Sequence, residues 1–328
     1  MEKTAHKKTS VRRIAPVRLG LALFALAAVA TVTSLRGSDE AMVWVYDHIT
    51  HPYHAFMSQL CSHVSFSVAE LFYAVVIIGL AAYLLWSIYR MIRFPGKLWQ
   101  LYRLVLTLAM AGALFWAGLT VMWTPCYYAP SFSEQSGVDD GPLEVSELET
   151  VTRWFAALAS EYGDEVARDE NGANIADRES VLDRAAEVFE GAEALYPFLD
   201  GAPLRPKPIY FSRIMSYLDF TGFFFPMTGE ANLNMDSPAF LLPSTSQHEI
   251  AHQRGVAAEQ ECNFVAVLAC LESDYADFNY AGAALAYIYL GNALAGADYD
   301  AYAEIYSTLS DTVRAAFTAQ SASWDQVR

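Results

Sequence analysis

The most explicit chemistry in the chain lies in the stretch LPSTSQHEIAHQRGVAAEQECNF, Leu242 to Phe264. His248 and His252 are four residues apart, so on a helix both imidazoles leave one face and can offer a nitrogen to a single metal ion. Glu249 stands about 100° round the helix from His248, where it reaches a water beside the metal more easily than the metal itself. Zn²⁺ suits imidazole and carboxylate donors, and a catalytic zinc site keeps one position open for water. Glu249 would then be the general base. No histidine other than these two occurs after His63, so the remaining 265 residues hold all their imidazoles at ligand spacing.

A third ligand should lie close by. Gly255 is placed to end the motif helix, and the next helix opens with AEQECNF. Glu259 and Asn263 are four apart and share a face, whereas Glu261 points about 200° away from Glu259. One of the two acids can therefore face the metal. Glu259 is the first choice, because Asn263 one turn on can hydrogen-bond a ligating histidine; Glu261 is the alternative, and the acid left over is expected at the surface or beside Arg254. A second histidine group, Asp47, His48, His51 and His54 in DHITHPYH, carries no metal expectation, because Pro52 should break the helical spacing.

The elements that must position these residues read as an α+β domain in which helices dominate. SELETVTRWFAALASEYG begins with a capping-box pattern, Ser146 to Glu149, and IADRESVLDRAAEVFEGAEALYPF reads as a second amphipathic helix. A strand is expected near Ile209, two more at Phe220–Phe225 and Ala231–Asn234, and then helices to about Arg254, over 258–272, 280–295 and 299–320. Residues 124–142, rich in Pro, Gly, Ser and Asp, read as a link, so the C-terminal domain spans 143–328.

Ahead of it, residues 1–123 form a membrane anchor. Three apolar runs, Leu19–Leu35, Val68–Tyr89 and Leu104–Trp123, approach or reach the roughly 20 residues that cross a hydrocarbon core. The first also fits a cleaved signal peptide. Basic residues crowd positions 1–18 and 90–103, so these are expected in the cytoplasm, with 36–67 and everything after Trp123 outside. The anchor holds eleven bases and five acids; the remainder holds ten bases and thirty-two acids. That field repels nucleic acid and excludes it as a partner, leaving the lipid bilayer and a peptide or protein near it. Of four cysteines, Cys61 and Cys126 would share the outer side, where a disulfide is chemically permitted, while Cys262 and Cys270 read as small buried hydrophobes.

HEIAH followed by Glu259 and Asn263 resembles the gluzincin metallopeptidases, although Asn263 stands where that pattern has Asp. More closely, SRIMSYLDFTGFFFPMTGEANLN, LLPSTSQHEIAHQRG and EQECNFVAVLAC, behind three membrane helices, resemble the bacterial domain of unknown function 3810 family, over most of the chain from the second membrane helix to about Cys270. The resemblance implies a membrane-anchored zincin in the bacterial cytoplasmic membrane, hydrolysing peptide bonds, and no particular substrate. It also implies an edge strand that binds extended substrate, for which Gly229, Glu230, Ala231 and Asn232 are the candidates. An oxyanion stabiliser would have to be Tyr217, Arg213 or Tyr280, since no histidine is left for that task. A zincin fold kept for zinc binding alone, in a membrane sensor or assembly protein, is the alternative.

Overall fold

A computed structural model of the chain describes residues 9–168 and 177–327. Lys3, Lys7 and Lys8 of the basic N-terminal stretch lie outside the described residues, as do Ile175 and Ala176 of the second expected helix. The described chain is mostly helical with one small sheet. It forms two compact units: Val68–Ala129 with the chain up to His54, and Ala55–Ser67 with the chain from Pro130 onward.

The first unit holds the three apolar runs as helices α1 (Thr9–Leu35), α4 (Val68–Arg93) and α5 (Lys97–Met122), each long and apolar enough to cross a membrane. Between α1 and α4 come α2 (Asp39–Val45), a π-helical turn (Tyr46–Thr50) and α3 (His51–Cys61), whose last residues belong to the second unit. Ala25, Val29 and Ala117 pack α1 on α5, small residues letting the backbones approach. Large side chains such as Ile77, Ile78 and Leu85 of α4 stay exposed. Pro52 does not break the helix as expected. The π-helical turn precedes it, with the N–H of His51 on Tyr46 O, and this wider turn makes room for the proline ring.

The second unit surrounds one helix. Its elements are α6 (Phe132–Ser136), α7 (Val145–Glu165), α8 (Arg178–Leu195), β1 (Lys207–Ile209), α9 (Ser212–Tyr217), β2 (Gly222–Phe225), β3 (Glu230–Asn234), α10 (Leu242–Gln253), α11 (Glu259–Leu271), α12 (Ala276–Ala297), α13 (Tyr299–Thr308) and α14 (Asp311–Val327). The stretch 124–142 is more ordered than a bare link: it carries a 3-10 turn (Thr124–Tyr128) and α6, whose Phe132 is buried against Tyr196, Phe198 and Phe264. The capping box of α7 is formed by Glu144 and Glu147, two residues before the expected Ser146 and Glu149. The helix expected over 299–320 is two helices, parted where Leu309 turns into the core.

Helix α10 packs against α8, α11, α12 and both long strands of the sheet. Leu242, Pro243, Ser244, Ser246, Gln247, Glu249, Ile250, Ala251 and His252 are all buried on it. Its serines are tolerated inside because their hydroxyls donate back to carbonyls of the first turn, Ser244 to Leu241 and Ser246 to Pro243. Ile250 and Ala251 join Phe189 of α8 and Val265 and Ala269 of α11 in one core. Burial stabilises a side chain such as Ile250 by about 1.5–3 kcal/mol.

The sheet order is β1-β3-β2, with β1 parallel and β2 antiparallel to β3. Strand β3 is therefore the centre, paired on both sides, and this corrects the expectation that Gly229, Glu230, Ala231 and Asn232 form a substrate-binding edge. Its polar side chains are satisfied inside the unit. Asn232 Oδ1 accepts from the Ser67 hydroxyl at 2.6 Å, and Asn234 Nδ2 donates to Ser216 Oγ and Phe220 O.

Helices α11 and α12 meet at Gly282, where an added Cβ would lie 2.6 Å from Cys270 Cβ. Gly282→Ala is expected to destabilise the full chain in detergent by about 1–3 kcal/mol, read from the denaturant midpoint, because neither helix can yield without disturbing α10.

Candidate functional site

The geometry at α10 begins with the turn that ends it. Gly255 adopts φ 97°, a left-handed conformation that L side chains rarely accept, and closes the helix. The N–H groups of Gly255 and Val256 return to His252 O and Ala251 O at 3.0 and 3.1 Å. The turn carries Val256 O beneath the His252 ring, where it accepts from Nδ1 at 2.8 Å. His248 Nδ1 donates to Asn263 Oδ1 at 2.9 Å, across from α11. An imidazole that donates through Nδ1 is left, in its neutral form, with an acceptor lone pair on Nε2.

Both Nε2 atoms face Glu259. Its Oε2 is 3.2 Å from His248 Nε2 and its Oε1 is 3.6 Å from His252 Nε2, with the two rings edge to face at 4.8 Å. Donor atoms about 2.0–2.1 Å from a tetrahedral ion stand roughly 3.3 Å apart, so the two spacings bracket what a zinc ion requires. The carboxyl of Glu259 is held well below the usual carboxylate range by hydrogen bonds from His248 and His252, which each ring donates through Nε2 only in its protonated form. Burial lowers the pKa of His252, but Glu259 and Glu249 outweigh it and raise the pKa above the usual imidazole value. Three acceptors facing one point repel unless a cation or protons lie among them, and this donor set fits zinc.

Two neighbours have partners of their own. Glu261 accepts the N–H of Phe132 at 2.9 Å, which ties α6 to α11, and Arg254 pairs instead with Glu193 at 2.9 Å. Cys262 also lies within reach of both histidines, and among the described residues His248, His252 and Cys262 are the three ligand-type side chains grouped most simply by distance. Its sulfur, however, is 3.2 Å from His252 Nδ1, the nitrogen already used, and donates to Val256 O at 3.3 Å. Burial, together with Glu259, Glu249 and Glu261, keeps the thiol protonated far above its ordinary pKa. Cys262 therefore packs the back of His252. Sequence spacing placed it on a plain apolar face, and only the closed turn at Gly255 brings it to the ring. All four cysteines are free and buried.

Glu249 lies deeper. Its carboxylate is 4% exposed, Oε1 sits 2.7 Å from where a Cβ on Gly222 would be, and Oε2 is buried without a hydrogen-bond partner. The backbone of Phe224 on β2 hydrogen-bonds to it. Burial, the largest influence, with Glu259 adding to it, pushes its pKa up to about 7 against the opposing pull of His248 and His252. A carboxyl poised there takes and releases protons near neutral pH. The strand beside this group is β2, which sequence reasoning had not placed there; the cue was Gly222, the one position in GFFF without a side chain.

Three further groups were expected as oxyanion stabilisers. Tyr280 is fully buried in a core with Ala156, Phe240 and Leu294, its ring under the Arg168 guanidinium, which corrects its candidacy as an oxyanion stabiliser. Tyr217 is exposed on α9 with the Arg213 guanidinium 5.8 Å over its ring.

The chain thus combines three membrane-length helices with an HExxH helix buried at the heart of a second unit. The chain belongs to the family described as Protein of unknown function (DUF3810), whose profile matches residues 46–328. No curated protein and no solved structure matches it.

The third-ligand geometry is tested by zinc content of the purified chain. Glu259→Gln is expected to lose zinc and Glu261→Gln to retain it, while Asn263→Ala weakens zinc affinity by about 10–100-fold. The reverse order for the two glutamates would move the site to Glu261.

Proposed function

We propose that the protein is a membrane-anchored, zinc-dependent metallopeptidase of zincin type, with His248, His252 and Glu259 holding the ion and Glu249 acting as general base. The observation that carries this reading is Glu249 Oε2, a buried carboxylate oxygen without a partner, one residue from a ligand and poised near neutrality. A purely structural zinc site has no use for such a group.

Zinc, when bound, supplies a Lewis acid that makes water more acidic and polarises a carbonyl. The chain's own part is the handling of protons. Glu249 accepts one from the attacking water and passes it to the departing amine, held in place by Phe224 and by its tight seat on Gly222. Strand β2, bordering Glu249, is the edge that offers main-chain groups to an extended peptide, since β3 is paired on both sides. Glu259 is 69% exposed at its side chain, so the cluster is open to a substrate from solvent.

The second reading, a non-catalytic zinc-binding sensor or assembly protein, is favoured by one observation: Tyr280, one of the three expected oxyanion donors, is in the core. Peptide hydrolysis by the full chain in detergent separates the two. Glu249→Gln is expected to keep zinc and lose about 10²–10⁴-fold in turnover; no turnover in either protein favours the second reading, and equal turnover in both removes Glu249 as the general base.

The three apolar helices support membrane association. The basic residues flanking them support a cytoplasmic N-terminus and an extracytoplasmic second unit. An enzymatic reporter fused after Arg328 that works only outside the cytoplasm is expected to be active; a cytoplasm-only reporter active at the same point would reverse the orientation.

A further inference from the structure

Segment 210–220 of the second unit is built inside out. On and around α9, Ser212, Met215 and Ser216 face inward, while Tyr210 (83% exposed), Phe211, Ile214, Tyr217, Leu218 and Phe220, each more than half exposed, face outward. The inward serines are fixed in place. Ser212 Oγ donates to Ile209 O at 2.6 Å and accepts the N–H of Met235 at 2.8 Å, and Ser216 Oγ accepts from Asn234 Nδ2 at 3.0 Å. Asp219 then takes a left-handed backbone, φ 60°, and the N–H of Phe220 returns to Met215 O, closing the turn. The apolar side chains cannot rotate inward without breaking these bonds, so the face is a designed exterior, larger than the scattered exposed apolar residues of an ordinary surface.

Three observations say what covers it. The first is position. Lys207 Nζ donates to Val64 O, and Ser67 Oγ donates to Asn232 Oδ1, the strand partner of Lys207. The next residue after Ser67 begins α4, a membrane-length apolar helix. Tyr210 lies three residues beyond Lys207, at most about 10 Å further along an extended chain. The second is composition: aromatic rings with aliphatic neighbours and an exposed arginine, Arg213, are what a membrane interface accepts. The third is charge. The chain after residue 123 carries thirty-two acids, yet residues 201–218 contain none, while holding Arg205, Lys207 and Arg213, and the one acid of segment 210–220, Asp219, is exposed in the turn at its end. Arg205 is paired with Glu179 and Asp183 and Lys207 is buried, so Arg213 is the basic group this face presents.

We propose that segment 210–220 inserts into the headgroup region of the bilayer that α4 enters, as a second, non-spanning membrane contact of the outer unit. Its apolar side chains leave water there, Arg213 meets lipid phosphate, and the acidic remainder of the unit stays in solvent.

The test uses the full chain in lipid nanodiscs. Tyr210→Cys, Ile214→Cys and Leu218→Cys each carry an environment-sensitive fluorophore, with Gly296→Cys, an exposed site where an added side chain meets nothing, as reference. The three labels are expected to be shifted to the blue, to lose most of their emission to brominated lipid and to resist aqueous iodide, with the opposite at 296. Quenching by iodide equal to the reference overturns the proposal. So does shielding from iodide without quenching by brominated lipid, which would mean that a peptide or a second copy covers the face. Hydroxyl-radical footprinting of the unsubstituted chain guards against misfolded variants: Tyr210 and Tyr217 should be protected relative to the comparably exposed Tyr299, and equal oxidation again overturns the proposal.

Discussion

Two hydrogen bonds given away by imidazole Nδ1 atoms govern the arrangement of everything around α10. A neutral imidazole has one donor and one acceptor, so committing Nδ1–H to Val256 O in one case and Asn263 Oδ1 in the other turns both acceptors to a common point. Each commitment needs structure of a different kind. Val256 O reaches His252 because Gly255 can turn left-handed; Asn263 reaches His248 because α11 folds back against α10 along a core of Ile250, Ala251, Val265 and Ala269. Remove the turn and one ring is free to spin; loosen the core and the other is. Glu259 enters the same point by helical phase from Asn263, so its position follows from the second commitment without a device of its own.

The burial of Glu249 sets a separate demand. A carboxyl so enclosed loses hydration, and its pKa of about 7 expresses that cost against the attraction of two neighbouring imidazoles. The sheet accommodates it through what β2 lacks at Gly222, since a side chain there would stand 2.7 Å from Oε1. Strand β2 is thus the strand that matters to this group, and β3 behind it supplies rigidity, its Leu233 buried against Leu242 at the start of α10.

What was legible in the sequence was whatever depends on local period. The four-residue spacing of His248 and His252, the stop at Gly255, the facing of Glu259 rather than Glu261 toward the two histidines, and the three apolar runs all follow from residues within a turn or two of each other. Strand order was not legible. The alternation in Glu230-Ala-Asn-Leu-Asn234 reads as a half-exposed edge, because nothing near it says that Asn232 will find Ser67, 165 positions away, or that Asn234 will find Ser216 and Phe220. Tyr280 failed for the same reason. Its helix is apolar all round, so phase could not tell a core face from a site, and the ring went to the larger core.

The polarity of the sheet region also argues against cutting the chain between α5 and the residues that follow it. Inside, it buries Lys207, Asn232, Asn234, Ser212 and Ser216; outside, it shows aromatic rings. Residues 55–67 belong to the same compact unit, and two of the inner groups depend on them: the Lys207 ammonium on Val64 O and Asn232 Oδ1 on Ser67. A chain beginning after α5 would keep α10 and the cluster of His248, His252 and Glu259 but lose both partners. Each buried group left unsatisfied costs about 1–3 kcal/mol, more for a charge, a large share of the 5–15 kcal/mol that typically separates folded from unfolded. The strand that backs the motif helix is therefore completed by residues lying between two membrane-length helices, and the placement of Glu249 depends, through β3, on the segment that leads into α4.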